Sequence, residues 1–153
     1  MRVTPDTGIL VRMNVRATGP ARRLLEILLT GPHELVLSDF LLNETARVLR
    51  YPRLQSVYNL AESDISEHVG LLRARADVVS PIIQQPVVLV DPNDDPVIYT
   101  AVDGRADVLC AVDRDFYQPN VGSGVFVQDW VYGIRRQRGV AFDLVGSDDE
   151  MWS

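Results

Sequence analysis

Four acidic residues, Asp6, Glu44, Asp95 and Asp113, stand at the ends of short apolar runs or on a helix close to one, and Asp115 lies just beyond the last of them. The apolar runs read as strands. Open α/β sheets build their sites in the crevice outside the carboxyl ends of such strands. Carboxylates gathered there repel one another unless a cation sits among them. Hard oxygen donors select Mg2+ or Mn2+. An ion held in this way polarises phosphoryl oxygens and activates water. The pattern therefore points to metal-dependent hydrolysis of a phosphorylated substrate, RNA foremost.

Each acid also has a plainer reading. Asp6-Thr7-Gly8 suits an Asx-type turn after a strand. The same triplet between apolar residues is the aspartic-protease signature, but that site needs a two-carboxylate dyad on an all-β chain, and this chain shows repeated helical patterns. Asp91-Pro92-Asn93-Asp94-Asp95 imitates the start of a calcium loop, which requires Gly at the sixth place and Glu at the twelfth. Pro96 and Val102 stand there instead. A turn entering a helix fits better, with Asp91 and Asp94 fixing the turn and Asp95 at the site. All three would also favour the helix dipole. Asp113-Arg114-Asp115 sets out two carboxylates that can share one cation. A similar acid-x-acid element occurs in sugar-nucleotide transferases, which need a longer chain. Glu44, taken alone, is an ordinary solvated helix residue. His33 and His68 fall among polar residues without ligand spacing and are not candidates.

These acids need a scaffold, and the apolar patterning supplies one. Arg2-Val3-Thr4, Leu35-Val36-Leu37, Val87 to Val90, Asp107 to Ala111 and Gly124 to Val127 read as strands, and Val78-Val79 is a further short apolar run. Ile9-Leu10-Val11 suits a first helical turn. Ala21 to Leu29 carries leucines at helical spacing after Pro20, which suits a first turn. A helix capped by Ser38 or Asp39 runs to about Arg50, where Tyr51-Pro52 breaks it. Asp64 to Asp77, with Ile65, Val69 and Leu72 inward, Val97 to Val102, and Gln128 to Arg138 complete the helical pattern. Strands alternating with helices imply a parallel sheet with helices on both faces. The expected organisation is a catalytic domain over residues 1–140 and an acidic tail over 141–153.

The chain of 153 residues suits one domain with a sizeable core. Its composition, 46% hydrophobic and 24% charged, is that of a soluble globular protein. The single cysteine, Cys110, rules out an intrachain disulfide and reads as a small buried hydrophobe. No apolar run is long enough for a membrane span and no signal-peptide layout opens the chain, so the expected location is cytoplasmic. A net charge of −6 argues against nucleic acid, but a bound ion offsets carboxylates locally. All 15 basic residues are arginine, the better bidentate partner for phosphate. Arg47, Arg50 and Arg53 cluster, and Arg114 lies between two of the acids.

Taken in order, these segments resemble the PIN-domain ribonucleases, particularly the group of toxins from toxin–antitoxin pairs. Val3 to Val11 is similar to that family's opening strand and first aspartate. Leu37-Ser38 through Glu44 is similar to its second strand and glutamate-bearing helix, and Val48 to Leu54 to the helix end that follows. Asp91 to Ile98 resembles the acidic turn carrying the third carboxylate, here Asp95. Ala106 through Phe116 resembles the final strand and acidic turn. Gly8 departs from the asparagine often found there, and Ala111 from a common hydroxyl residue. The resemblance implies a flavodoxin-like three-layer α/β/α sandwich around a mainly parallel sheet. It implies that Asp6, Glu44, Asp95 and Asp113, supported by Asp115, hold one or two Mg2+ or Mn2+ ions for in-line hydrolysis of RNA, with Arg47, Arg50, Arg53 and Arg114 holding the RNA backbone. It further implies a homodimer and a small antitoxin partner. The alternative is a catalytically weak PIN domain that binds RNA or a protein partner.

Overall fold

The computed structural model describes residues 1–81 and 95–110, with backbone only at Pro20 and Asp95. The described elements are β1 (Arg2–Pro5), α1 (Thr7–Arg12), α2 (Pro20–Thr30), β2 (Glu34–Ser38), α3 (Asp39–Leu49), α4 (Pro52–Tyr58), α5 (Glu62–Arg75), β3 (Asp77–Val79), α6 (Asp95–Asp103) and β4 (Val108–Cys110). The four strands form one sheet in the order β3-β2-β1-β4, and every pairing is parallel. Val3 of β1 lies opposite Leu35 on one side and Val108 on the other.

Successive strand side chains point to opposite faces. Yet Val3, Thr4 and Pro5 of β1 are all buried, as are Leu35 through Ser38 of β2. Both faces are therefore covered, the condition under which parallel sheets occur. Helix α6 packs on β1 and β2, and α2 and α3 pack on β2. The expected α/β architecture with a parallel sheet is the one observed. The main core joins Val3, Leu35, Leu37 and Leu109 of the sheet to leucines of α2 and α3 and to Val97, Ile98 and Ala101 of α6. A smaller cluster of Val11, Leu49, Leu60 and Ile65 ties α1, α3 and α5 together.

Local chemistry explains most boundaries. Pro20 opens α2, where its missing N–H costs nothing. Ser38 caps α3 by accepting from Leu41 N. Helix α5 begins two residues before the expected Asp64 because that carboxylate reaches back to accept from Ala61 N at 2.8 Å. Helix α4 was not expected from the sequence. It has no buried residue, so it shows no apolar period, although Pro52 at its start and left-handed Asn59 (φ 52°) at its end mark it. Gly104 ends α6 where a Cβ would lie 2.3 Å from Val36 Cγ1 and 2.7 Å from Thr100 O, so only glycine permits this approach to β2. The expected strands at Val87–Val90 and Gly124–Val127, the helix at Gln128–Arg138 and the acidic tail lie outside the described residues.

The amino edge of the sheet is closed by Arg2. Its Nη1 donates to Glu34 at 2.5 Å, its Nη2 to Asp77 at 2.7 Å and its Nε to Gly104 O at 2.9 Å. Its backbone N–H donates to Asp107 Oδ2 at 2.8 Å. One residue thus joins the starts of β1, β2 and β3 to the turn before β4. These partners are exposed, and exposed ion pairs contribute little singly, but the fork geometry makes them a network. Arg2→Ala is expected to destabilise by about 1.5–3 kcal/mol, the range for hydrogen bonds to charged groups. The loss should shrink in high salt. Urea titrations of both proteins at low and high salt check this.

His68 corrects the sequence reading, which placed it among polar residues. It is fully buried on the inner face of α5 beside Ile65 and Leu72. Its Nε2 lies 2.9 Å from Leu10 O. A carbonyl only accepts, so Nε2 carries the proton and Nδ1 the lone pair. Nδ1 has no hydrogen-bond partner. Burial lowers the imidazole pKa below its usual 6.5; the Leu10 carbonyl pulls it up and Arg22 pushes it further down. The unfolded chain therefore binds a proton near pH 6.5 that the folded chain refuses. This stability is complete above that value and falls as pH drops below it. In pH-dependent melts the wild type should lose stability as pH falls below about 6.5, and His68→Gln, which cannot charge, should lose much less.

Candidate functional site

The chain passes from β1 outward to β2 and β3, then returns to the far side of β1 to form β4. The strand order reverses between β1 and β4. In open parallel sheets, ligands bind at the carboxyl ends of the strands beside such a reversal. Asp6 stands there. It follows β1 directly, and its backbone N–H donates to Cys110 O at the end of β4 at 2.8 Å. The residue is only 5% exposed. Oδ1 accepts from Ile9 N at 2.8 Å, so the carboxylate caps α1. The plain reading of Asp6 as a turn residue is therefore also true. A neutral Asn or Ser would cap as well, so capping alone does not account for a buried charge.

Helix α1 fixes that carboxylate, and it has only six residues, too few to be stable alone. Side chains hold its far end. His68 Nε2 donates to Leu10 O, Asn14 Nδ2 donates to Val11 O at 2.8 Å, and Arg22 Nη1 donates to Met13 O at 2.9 Å. Carbonyls that a short helix leaves open at Leu10, Val11 and Met13 are thus met by side chains.

Glu44 lies on α3, one turn beyond Leu41 and at the margin of the face that buries Leu41, Leu42, Thr45 and Leu49. It is half-buried. Arg47 Nη2 donates to its Oε1 at 2.8 Å. Helix α3 packs against both α1 and α6, which carry Asp6 and Asp95. Asp95 is the first residue of α6, as the sequence implied. Asp113, Asp115 and Arg114 lie outside the described residues. Among the described residues, no group of three or more acids, histidines or cysteines is close enough to hold an ion. The donor chemistry nevertheless fits a hard divalent cation. Asp6 and Glu44 offer carboxylate oxygens, the donors such an ion prefers.

The arginines divide. Arg47 is committed to Glu44 and also donates to the Tyr51 hydroxyl. Arg50 is held by both oxygens of Glu62, with Nη2 at 2.5 Å. The Arg50 contact lowers the Glu62 pKa, chiefly by hydrogen bonding. Arg53 is exposed and makes no ion pair among the described residues.

Sequence reasoning missed two features. Thr100 Oγ1 lies 2.8 Å from Ser38 Oγ and 2.7 Å from Pro96 O. This hydroxyl pair is fully buried and locks α6 to the end of β2. Thr100 gives its one proton to the carbonyl, so Ser38 supplies the proton between the hydroxyls. Ser38 was legible only as a cap; its second role depends on a residue far along the chain. Tyr51, read only as a helix break, is an exposed ring beside Arg47.

Cys110 is buried, as expected. Burial pushes its thiol up to about 12, and the nearby Asp6 charge adds to the shift. The thiolate is the reactive form. Iodoacetamide at pH 8 should therefore leave the folded protein unmodified by mass spectrometry and alkylate it fully in denaturant. Rapid labelling of folded protein would contradict this burial.

The chain matches the family model described as PIN domain over residues 2–115. No curated protein and no solved structure gives a significant match. The matched segment runs from β1 through β4 to Asp115, so it takes in all five candidate acids. PIN domains are generally nucleases and typically use divalent metals. No helix among the described residues is long and apolar enough to cross a membrane. With a parallel sheet, a buried aspartate at its reversal point and a family match over most of its length, the chain belongs to the PIN-domain family.

Proposed function

We propose that this PIN domain is a Mg2+- or Mn2+-dependent endoribonuclease, and that it serves as the toxin of a type II toxin–antitoxin pair. The observation that carries the nuclease reading is the buried Asp6 carboxylate at the switch point between β1 and β4. Asp6, Glu44, Asp95 and Asp113 would hold the metal, with Asp115 in support. When bound, the ion stabilises charge on the leaving oxygen and makes water a better nucleophile. Glu44 or Asp95 orients the attacking water. Arg53 and Arg114 contact the RNA backbone, whereas Arg47 and Arg50 are held by Glu44 and Glu62.

The toxin role rests on the family resemblance, which also suggests a homodimer and a small antitoxin. A second reading, an RNA-binding or protein-binding module of weak activity, is supported by Glu44 being neutralised by Arg47 and by the small residues Gly8 and Ala111. Chelation separates the two, because binding by such a module is insensitive to EDTA.

The test is cleavage of a mixed RNA pool with Mg2+ or Mn2+, beside EDTA and an Asp6→Asn/Asp95→Asn double variant. Cleavage is expected with metal and absent from both controls. Asp6→Asn alone should lower activity by about 10²-fold or more, the usual cost of losing one preorganised electrostatic group. It should still fold, because Asn also caps a helix. Cleavage at the wild-type rate by the purified variant would remove Asp6 from the site.

A further inference from the structure

Glu44 and Arg47 lie one turn apart on α3, and Tyr51 follows two residues past the end of that helix. Arg47 links the three. It donates to Glu44 Oε1 and to the Tyr51 hydroxyl, and its guanidinium carbon lies 5.5 Å from the Tyr51 ring centroid. Tyr51 is nevertheless 45% exposed. As the residue between α3 and α4, with extended backbone before Pro52, it stays outside the neighbouring cluster of Val11, Leu49, Leu60 and Ile65. An exposed ring with a guanidinium fixed against it is a stacking platform for a planar ligand.

We propose that Tyr51, positioned by Arg47, is a base-stacking subsite that holds one unpaired nucleobase of single-stranded RNA beside the acidic site. The proposal rests on the nuclease reading and deepens it. Arg47 donates to both Glu44 and the Tyr51 hydroxyl, so the ring lies within one arginine side chain's reach of Glu44, a span of a few nucleotides at about 3.4 Å each. A base inside a duplex has both faces covered and cannot reach the ring. Arg53, exposed and without an ion pair among the described residues, lies two residues on as a contact for the adjoining phosphate. Arg50 is excluded by its grip on Glu62. A protein partner would instead find an apolar contact in Val57 of α4, which is 66% exposed.

The experiment measures binding of a fluorescent single-stranded oligoribonucleotide in EDTA, where nothing is cleaved, against the same sequence annealed as a duplex. Tyr51→Ala should weaken single-strand binding by about five- to a hundred-fold, the range for alanine replacement of a stacking aromatic. Tyr51→Phe, which keeps the ring, should restore most of it, and the duplex should bind weakly to every form. Unchanged binding in Tyr51→Ala, or equal losses in Tyr51→Phe or Val57→Ser, would overturn stacking. The nuclease reading is judged separately. Metal-dependent cleavage whose kcat/KM ignores Tyr51→Ala would sink the subsite alone, whereas binding that depends on Tyr51 without any cleavage would sink the nuclease reading alone.

Discussion

The position of the Asp6 carboxylate depends on a helix that cannot stand by itself. Helix α1 has six residues, and nucleation alone makes such a segment unfavourable in water. It persists because each end is tied to something larger. Asp6 closes the first turn, and Ile9, Leu10 and Val11 are buried. At the far end, His68 from α5, Asn14 and Arg22 from α2 meet the open carbonyls. The helix therefore borrows its stability from α2 and α5. A change at either of those elements is felt at Asp6 without touching it.

The two edges of the sheet divide the work of charge. At the amino edge, Arg2 gathers Glu34, Asp77 and Asp107 around one guanidinium and its backbone N–H. There the acids are matched and structural. At the carboxyl edge the polar groups are buried hydroxyls and the Asp6 carboxylate: Thr4 donates to Val36 O, and Ser38 meets Thr100. Buried polar groups must be hydrogen-bonded, and these bonds stiffen the edge on which Asp6 sits. Rigid support of this kind is what a reacting site needs to hold its groups in place.

Much of this was legible in the residues. Periodicity marked β1, β2, α2 and α3, because each buries a continuous apolar face or run. Asp6 and Asp95 were legible as acids at element boundaries, and both fall there. Two kinds of feature were hidden. Helix α4 buries nothing fully, so hydrophobic spacing could not reveal it. His68 read as polar because its type is polar; its burial follows from the Leu10 carbonyl, which lies 58 positions away in sequence. The Ser38 and Thr100 pair spans 62 positions for the same reason. Contacts between distant residues leave no local signature, whereas caps and apolar periods do.

The strand order has a consequence for how the chain is made. Strand β1 lies inside the sheet, yet one of its two neighbours, β4, arrives about a hundred positions later: Arg2 and Asp107 are separated by 105. Synthesis proceeds at roughly 5–20 residues per second. For several seconds a nascent chain can pair β1 with β2, and β2 with β3, while the other flank of β1 stays open. An open flank is a template for unwanted strand addition. The backbone amide of Asp6, whose partner is Cys110 O, waits on that same flank. The edge that carries Asp6 is thus among the last parts of the sheet to close.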